Sequence, residues 1–493
     1  MDKFKKMNSK FALIVTATSL CVFIGGSAIN IFQGKFNNSI KAAEVVKDLP
    51  GAALTMPSDL KLSIDKAFMT AHDWPAAIDI GKRKAKIEYN FDPDLDSYIK
   101  KLLKSYRSDY CTVTVIDNET GEVLAAVGLE GKTNNFDANL VLTATHPSAS
   151  LIKMVTAAEL LQNTKVTRET SFDFRGRSTT LFKYQLNESA NSRWDKAQTF
   201  ETAFAKSNNV IFGKAAIANI NNDKLIHMAE NFGFNQPIVQ EFGFLQSHIA
   251  VIDTDDFGLA ELASGYNDTT VISPLHAAMM ASIVANNGMM RNPKIIAKVT
   301  DAATGETIWE NTMIEKRVLS AETSTQMQEM MGGTVDGGTA RKSFRKMNNG
   351  YKNALDIGGK TGSITGGTPF GKRDWFAAFA IPRDNERGKG ISISVMNVNV
   401  KRWHVKSTML AKNIIEYYYN NVRPVPITMV KMPRMASERR GRRVRTYKRG
   451  IASSSSKKKE VNGASVSNTT GRKFKKVIKR EIGKRNERTN ATI

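Results

Sequence analysis

The sequence predicts an α+β fold in which an antiparallel sheet is assembled from strands at both ends of a domain, with helices flanking it and an all-helical part inserted between. The N-terminal strands form a predicted β-hairpin, because residues 110–116 and 122–127 alternate in side-chain type around turn residues 117–121. Helical patterns dominate residues 150–290. The C-terminal strand patterns lie at residues 360–363, 374–380 and 391–396, followed by a closing helix at 402–419. Strands separated by a long helical part predict one domain.

The chain divides by composition into five parts. A basic N-terminus, residues 1–10, precedes an uncharged run at residues 11–32 that is long enough to span a ~30 Å hydrocarbon layer as a helix. This pattern predicts a transmembrane signal-anchor, with a cleaved signal peptide as the alternative. Residues 33–85 indicate a stalk or pedestal, and residues 86–422 the main folded domain, in which a hairpin around 301–305 is interpreted as an inserted edge feature. Residues 423–493 form a basic tail that is predicted to be disordered.

The basic charge is concentrated in that tail. The formal net charge is +24, and residues 431–493 hold 21 Lys and Arg against 4 Glu. Because the charge says little about the body of the protein, no nucleic-acid partner is expected. The 6 histidines include no pair at metal-ligand spacing, so neither a metal site nor a cofactor is expected.

One Ser-x-x-Lys segment differs from the others in its surroundings. The pattern also occurs at Ser58, Ser63, Ser343 and in the serine run before Lys457. Only Ser150 opens a segment, residues 150–161, that is apolar on almost every side and therefore predicts a buried helix. Lys153 would lie one turn from the Ser150 hydroxyl, and burial would lower its pKa enough to make it a proton acceptor. The alternative is a capping serine with a lysine that extends to solvent.

Two further motifs carry polar side chains suited to the same chemistry. Ser207 and Asn209 lie between two helical segments, in a short turn from which side chains can enter a cleft; Ser189 and Asn191 are a rival pair in a polar stretch. Lys360, Thr361, Gly362 and Ser363 follow two glycines on a predicted strand. Glycine allows a substrate backbone to approach the strand, and a lysine with neighbouring hydroxyls suits a carboxylate.

In this order, Ser-x-x-Lys, Ser-x-Asn and Lys-Thr-Gly resemble the motifs of penicillin-binding proteins and class A β-lactamases. Flanking segments at residues 115–125, 272–278, 337–341 and 374–376 agree with that resemblance. Over residues 86–422 the chain resembles the penicillin-binding transpeptidase domain, in a monofunctional form without a glycosyltransferase domain. The resemblance implies the fold shared with serine β-lactamases.

The resemblance also implies an activity and roles for the motif residues. A serine D-Ala-D-Ala transpeptidase would form an acyl-enzyme with stem peptides, cross-link the cell wall and be inhibited by β-lactams. The implied catalytic residues are Ser150 as nucleophile, Lys153 as its base, Ser207 as proton relay and Asn209 as a support for Lys153. The implied substrate-binding residues are Lys360, Thr361, Gly362 and Ser363, with an oxyanion hole at the backbone N–H groups of Ser150 and Ser363.

The expected partners follow from that activity. They are peptidoglycan stem peptides, β-lactams, a separate glycosyltransferase and the cytoplasmic membrane, with the catalytic domain on the extracytoplasmic, periplasmic side. The basic tail is expected to meet anionic wall polymer or lipid, or to bind nothing specific.

Three alternatives and two departures accompany the resemblance. A D,D-carboxypeptidase or a β-lactamase differs only in how water reaches the acyl-enzyme, and Glu241 lies roughly where a class A β-lactamase carries its water-activating glutamate, although its neighbours do not match. A non-catalytic β-lactam sensor or wall-assembly scaffold is the third. Ala149 stands where the family often has glycine, and residues 265–268 stand where a Gly-x-Gly turn is common.

Overall fold

Strands lie at both ends of the described chain and helices between them, as the sequence predicts. The computed structural model describes residues 56–187, 195–242, 246–251, 253–400 and 403–427. The strands are β1 (Ala77–Ile80), β2 (Arg83–Tyr89), β3 (Tyr110–Asp117), β4 (Val123–Glu130), β5 (Asn135–Phe136), β6 (His146–Pro147), β7 (Ser171–Phe174), β8 (Lys196–Thr199), β9 (Val271–Ile272), β10 (Met289–Arg291), β11 (Ile296–Asp301), β12 (Thr307–Glu310), β13 (Glu315–Arg317), β14 (Leu355–Gly366), β15 (Gly371–Pro382) and β16 (Ile391–Asn399).

Most of the helices lie between β5 and β14, whereas the first two precede β5 and the last follows β16. They are α1 (Ser58–Thr70), α2 (Pro93–Ser105), α3 (Asn139–Leu142), α4 (Lys153–Asn163), α5 (Lys183–Leu186), α6 (Phe200–Lys206), α7 (Asn209–Asn219), α8 (Asn222–Asn231), α9 (Asp256–Ser264), α10 (Pro274–Ala285), α11 (Ala321–Asp336), α12 (Arg341–Phe344), α13 (Asn349–Ala354) and α14 (Ser407–Tyr417). Short 3-10 turns occur at Ala149–Ile152 and Asn385–Arg387, and a π-turn at Tyr418–Val422.

A six-stranded antiparallel sheet joins the two ends of the domain, with strand order β14-β15-β16-β3-β4-β5. The central strand β16 is buried at all 9 of its positions, although Ser392, Ser394, Asn397 and Asn399 are polar. It pairs with β3 from Ile391↔Asp117 to Val398↔Tyr110, so the C-terminal strands complete the N-terminal hairpin. The predicted fold class is confirmed.

Helix α10 connects this sheet to the inserted helical part. Every one of its 12 residues is buried, and it packs against β3, β15 and β16 on one side and α11 on another. Ser273 caps its first turn by accepting from the His276 N–H, and Pro274 occupies the first helical position. A helix that is apolar all round is a core element, and here it supports both halves of the domain.

The predicted pedestal belongs to the same packed body as the domain it precedes. Leu60, Ile64 and Phe68 of α1 are buried in the main core. The strands β1 and β2 form a four-stranded sheet with β11 and β12, in the order β1-β2-β11-β12. The boundary predicted after residue 85 therefore falls inside β2, and the hairpin at 301–305 pairs with β2 through β11, with β12 as the edge strand of that sheet. Periodicity identifies strands but not partners some 200 residues away, which explains the difference.

The predictions for residues 1–32 and 33–55 lie outside the described residues, as does most of the basic tail. Residues 423–427 are an exception, because Val425 is buried and the Arg423 guanidinium lies 2.7 Å from Asp117 Oδ2. Within the described ranges no helix is both long and apolar enough to cross a bilayer, since the longest has 16 residues. This finding contradicts the predicted location as a single-pass protein of the cytoplasmic membrane.

Candidate active site

Ser150 and Lys153 are held in register by a 3-10 turn. The segment predicted as one helix begins as the 3-10 turn Ala149–Ile152 and becomes α-helical at Lys153. Side chains at i and i+3 eclipse in a 3-10 turn, and the Lys153 Nζ lies 2.9 Å from Ser150 Oγ. Ser150 is half-buried, whereas Lys153 is 0% exposed. The alternative of a lysine that extends to solvent is therefore wrong.

Two carbonyl oxygens surround the Lys153 amine. Its Nζ lies 2.7 Å from Asn209 Oδ1 and 2.5 Å from the backbone oxygen of Ser264. The Asn209 Nδ2 donates to the backbone oxygen of Thr179 at 3.1 Å, which leaves its Oδ1 facing Lys153. Both oxygens can only accept. An ammonium at this position donates to all three oxygens, Ser150 Oγ included; once the amine is neutral, its two N–H groups suffice for the two carbonyl oxygens and its lone pair can accept from the Ser150 hydroxyl.

The surroundings of Lys153 favour that neutral form. Burial lowers the pKa of Lys153 well below its ordinary value, and the positive charge of nearby Lys360 lowers it further. Desolvation disfavours the charged form of a buried lysine. The compensating features are the two carbonyl oxygens and the Phe212 ring, whose centroid lies 5.5 Å from Nζ, and none of them carries a full negative charge. Lys153 is therefore able to accept a proton near neutral pH.

Ser207 faces the second buried lysine. It ends α6 in the left-handed conformation, with φ 56° and ψ 49°, and its Oγ lies 2.8 Å from the Lys360 Nζ. The Lys360 amine also donates to the Thr361 backbone oxygen at 2.8 Å. Burial lowers the pKa of Lys360 to about 7. The rival serine, Ser189, lies outside the described residues.

The strand β14 borders the site along the edge of the large sheet. Gly362 packs against the turn that carries the nucleophile, since a Cβ at 362 would lie 3.3 Å from Ala149 Cβ. The Thr361 hydroxyl lies 2.6 Å from that of Thr339, and Ser363 is exposed. The structure thus places all three sequence motifs around one cleft.

Comparison with known proteins agrees with this geometry. A family model described as the penicillin binding protein transpeptidase domain matches residues 111–416. The chain belongs to this family. Among curated relatives, Stage V sporulation protein D of Bacillus subtilis (strain 168) is 25% identical over 235 residues, 46% of this chain and 34% of that protein. Penicillin-binding protein 1F of the same organism is 32% identical over 166 residues, 33% of this chain and 22% of that protein. The matched part thus covers 34% or less of these relatives' length.

Solved structures of penicillin-binding proteins share the fold. Penicillin-binding protein 3 from Mycobacterium tuberculosis has a TM-score of 0.56 at 18% identity, covering 70% of this chain and 81% of that one. The D,D-transpeptidase domain of a peptidoglycan glycosyltransferase from Eggerthella lenta has a TM-score of 0.54 at 18% identity, covering 75% and 92%. At such identity the likeness shows the fold alone.

Both departures from the family's motifs have a structural setting. Ala149 adopts φ 48°, a left-handed conformation that favours glycine. Gly265 has φ 67° and ends α9, and a Cβ there would lie 1.9 Å from the Ala149 backbone oxygen. Glycine at 265 therefore allows the end of α9 to approach the nucleophile turn closely enough for the Ser264 oxygen to reach Lys153.

A loop that sequence patterns did not identify accepts hydrogen bonds from Asn209. In this loop, residues 175–187, the backbone oxygen of Ser178 accepts from the Asn209 N–H at 2.7 Å, next to the Thr179 contact. Gln185 is 1% exposed and fastens the loop: its Nε2 donates to the backbone oxygens of residues 175 and 177, and its Oε1 accepts from Thr180 Oγ1 and the residue 182 N–H. Its location in a polar segment without periodicity gave no sequence signal.

The other candidate serines and the candidate glutamate lie in different settings. Ser58 and Lys66 are exposed, and the Ser343 hydroxyl bonds to Thr408 at 2.7 Å. The serine run before Lys457 lies outside the described residues. Glu241 Oε1 accepts from the backbone N–H groups of residues 295 and 296 at 2.9 and 3.2 Å. That carboxylate therefore connects its own segment to the pedestal sheet.

Proposed function

We propose that this chain is a peptidoglycan D,D-transpeptidase that forms an acyl-enzyme on Ser150. The observation that carries the proposal is the position of the buried Lys153 amine, which lies 2.9 Å from Ser150 Oγ and within hydrogen-bond distance of two carbonyl oxygens. A buried, neutral lysine beside a serine is one of the ways in which a hydroxyl becomes a nucleophile.

Acylation requires one proton to move from the nucleophile to the leaving group. Ser150 Oγ attacks the carbonyl between the last two D-alanines while its proton passes to Lys153. The C–N bond then breaks, and the departing D-alanine amine takes a proton from Lys153, relayed through Ser207, which lies beside Lys360. The tetrahedral oxyanion would accept from the backbone N–H groups of Ser150 and Ser363. Such donors are typically worth about 3–4 kcal/mol each.

The end of the donor peptide carries a carboxylate that β14 is suited to bind. Thr361 and Ser363 offer hydroxyls, and Lys360 offers positive charge below its pKa of about 7. Gly362 allows β14 to lie close against the turn that carries Ser150, since a Cβ there would lie 3.3 Å from Ala149 Cβ. β-Lactams, which present a similar carboxylate and a strained amide, would acylate the same serine.

An amine from a second strand is the favoured acceptor in the second step. The carboxylate of Glu241, considered as a water-activating group, is 0% exposed and occupied by donors of the pedestal sheet. A D,D-carboxypeptidase or β-lactamase is the second candidate, because either would use the same acyl-enzyme. Glycan polymerisation would need a separate glycosyltransferase as partner.

Labelling with a fluorescent penicillin, followed by mass mapping of the adduct, tests the proposal. Wild type should carry the adduct on Ser150, and Ser150→Ala should not label. Ser58→Ala is a matched control, since it removes the hydroxyl of an exposed Ser-x-x-Lys pair and should label fully. An adduct on another serine, or equal labelling of Ser150→Ala, would contradict the assignment. Turnover of a chromogenic β-lactam separates slow from rapid deacylation.

A further inference from the structure

The guanidinium of Arg373, which has no part in the proposed acylation, is buried beside the turn that joins β14 to β15. Arg373 is 0% exposed. Its Nη2 donates to the Pro369 backbone oxygen at 2.6 Å, and its Nη1 donates to the Gly371 backbone oxygen at 3.4 Å. Its Nη2 and Nε also lie 3.1 and 3.4 Å from Nδ1 of His146. The acceptors around this guanidinium within the described residues are therefore all uncharged.

The guanidinium determines the tautomer of His146. Because a guanidinium can only donate, Nδ1 of His146 accepts, and its Nε2 carries the proton that faces the Leu140 backbone oxygen at 3.4 Å. Burial and the charge of Arg373 lower the pKa of His146 to about 3, so the ring is neutral at neutral pH. A charge that is buried without an opposite charge disfavours folding. The pair therefore contributes a fixed geometry rather than compensation of charge.

This pair joins β15 to the segment that leads to the nucleophile. His146 and Pro147 form β6, which ends three residues before Ser150. The Trp375 indole N–H donates to the Pro147 backbone oxygen at 3.0 Å, and its ring centroid lies 6.1 Å from that of His146. Arg373 and Trp375 are two positions apart on β15, so their side chains project from the same face of the sheet. Two neighbouring side chains of β15 thus hold β6.

The sheet register relates this attachment to the proposed oxyanion hole. The two N–H donors lie on different segments, that of Ser150 on the 3-10 turn and that of Ser363 on β14. Trp375 and Arg373 pair with the β14 positions on either side of Ser363. The spacing of the two donors therefore depends on how firmly β6 is held against β15. Because hydrogen bonds weaken steeply when their angle or distance departs from the usual range, a small displacement matters.

We infer that Arg373, acting through His146, is a positioning residue of the oxyanion hole. It fixes the segment ahead of Ser150 against the sheet, so that the N–H groups of Ser150 and Ser363 point at one oxygen. The inference rests on the proposed function, because the oxyanion forms only when Ser150 is acylated. Loosening the pair would leave Lys153 with its own contacts on Asn209 and Ser264. It would therefore slow the chemical step without weakening the binding that precedes it.

The vibration of the acyl carbonyl reports on the two donors directly. In the penicillin acyl-enzyme, the ester carbonyl on Ser150 would accept from both N–H groups, and hydrogen bonds lower its stretching frequency. Arg373→Met keeps a long side chain but removes the donors. With penicillin carrying ¹³C at the β-lactam carbonyl, the isotope-edited infrared band of this variant should move to higher wavenumber. Its acylation rate constant should fall about tenfold, while the dissociation constant of the noncovalent complex stays within about twofold of wild type.

Replacements of His146 test the same pair from its other side. Asparagine at position 146 keeps an oxygen that can accept from the guanidinium, whereas leucine leaves the guanidinium donors unpaired. His146→Leu should reproduce the band shift and the slower acylation, and His146→Asn should lie closer to wild type in both. Arg383→Met is a control, because it removes an exposed arginine just past the other end of β15, where it pairs with Asp356. This control should give the wild-type band.

The readouts separate positioning from a purely structural role. Loss of stability alone leaves the band of the folded acyl-enzyme in place, and circular dichroism identifies folded protein. An unshifted band in folded His146→Leu would overturn the inference, whether or not Arg373→Met folds.

Mass mapping of the wild-type adduct separates this inference from the proposed function. An adduct on Ser150 with no band shift in the variants refutes the role of Arg373 alone. An adduct on another serine, or no adduct in wild type, refutes the proposed function itself.

Discussion

Replacing Asn209 by aspartate changes one atom beside the Lys153 amine and tests why that amine is neutral. The carboxylate oxygen at the position of Asn209 Oδ1 would lie 2.7 Å from Nζ, and the oxygen that replaces Nδ2 would face the backbone oxygen of Thr179. An opposite charge this close typically moves a pKa by about 1–3 units toward the charged form, so the pKa of Lys153 should rise. At pH values below the wild-type pKa, each unit is a tenfold change in the neutral fraction. On the acid limb of the pH profile, acylation should therefore fall by about 10- to 1000-fold, and by less at higher pH.

The assay is the second-order rate constant of penicillin acylation measured from pH 6 to pH 10. The rising limb of the Asn209→Asp profile should move to higher pH, so that the difference from wild type shrinks as pH increases. Asn208→Asp is the matched control: residue 208 is also buried, but its Oδ1 accepts from the Ile211 N–H at a helix N-terminus, where aspartate is well tolerated. An Asn209→Asp profile that is lowered equally at every pH would refute the reasoning.

Four further predictions address the support of the site. Gly265→Ala should lower the rate constant of penicillin acylation, measured by stopped-flow kinetics, at least about tenfold. The Cβ of the introduced alanine would lie 1.9 Å from the Ala149 backbone oxygen and would displace the turn that carries Ser150. Gln185→Leu removes a side chain that fastens the loop behind the motif asparagine, so acylation should fall about tenfold in protein that circular dichroism shows to be folded. Lys360→Met should make the free energy of unfolding rise less steeply with pH above pH 7, as urea denaturation can show. The pKa of Lys360 is about 7 in the native state and higher in the unfolded state, so between these two values the unfolded state binds more protons. Such a lysine raises the free energy of unfolding by up to about 1.4 kcal/mol per pH unit in that range. Glu241→Gln should lower the free energy of unfolding by about 1–3 kcal/mol in the same assay and leave the rate of deacylation unchanged. A loss of deacylation in this variant would instead indicate that Glu241 activates water.

The sequence predicted those parts of the site that local pattern determines. The apolar surroundings of residues 150–161 distinguished Ser150 from the other Ser-x-x-Lys serines, and the flanking helices distinguished Ser207 from Ser189. Lys153 is indeed buried, and the strand that carries Lys360 lies where alternation placed it. These features follow from periodicity and burial, which a single sequence records.

Other parts of the site depend on contacts between distant segments. The Ser264 oxygen is a backbone atom, so no side-chain motif predicts its contact with Lys153. The glycine that permits the contact was noted only as the first residue of segment 265–268, which departs from the family's Gly-x-Gly turn. The pairing of β2 with β11 joins segments far apart in the chain, and alternation does not identify such partners. Gln185 acts through four bonds to its own loop, whose irregular sequence has no period to interpret.

Measuring the protonation state of Lys153 is the most direct test of its proposed role as the base for Ser150. In protein labelled with ¹³C at Cε of lysine, the chemical shift of each resonance reports the charge of its amine as pH is raised. The Lys153 resonance is assigned by its loss in Lys153→Met. Because burial and the charge of Lys360 lower the pKa of Lys153, its resonance should titrate at a pH well below that of the other lysines in the same spectrum. A Lys153 resonance that titrates with an ordinary lysine pKa near 10.4 would contradict that role.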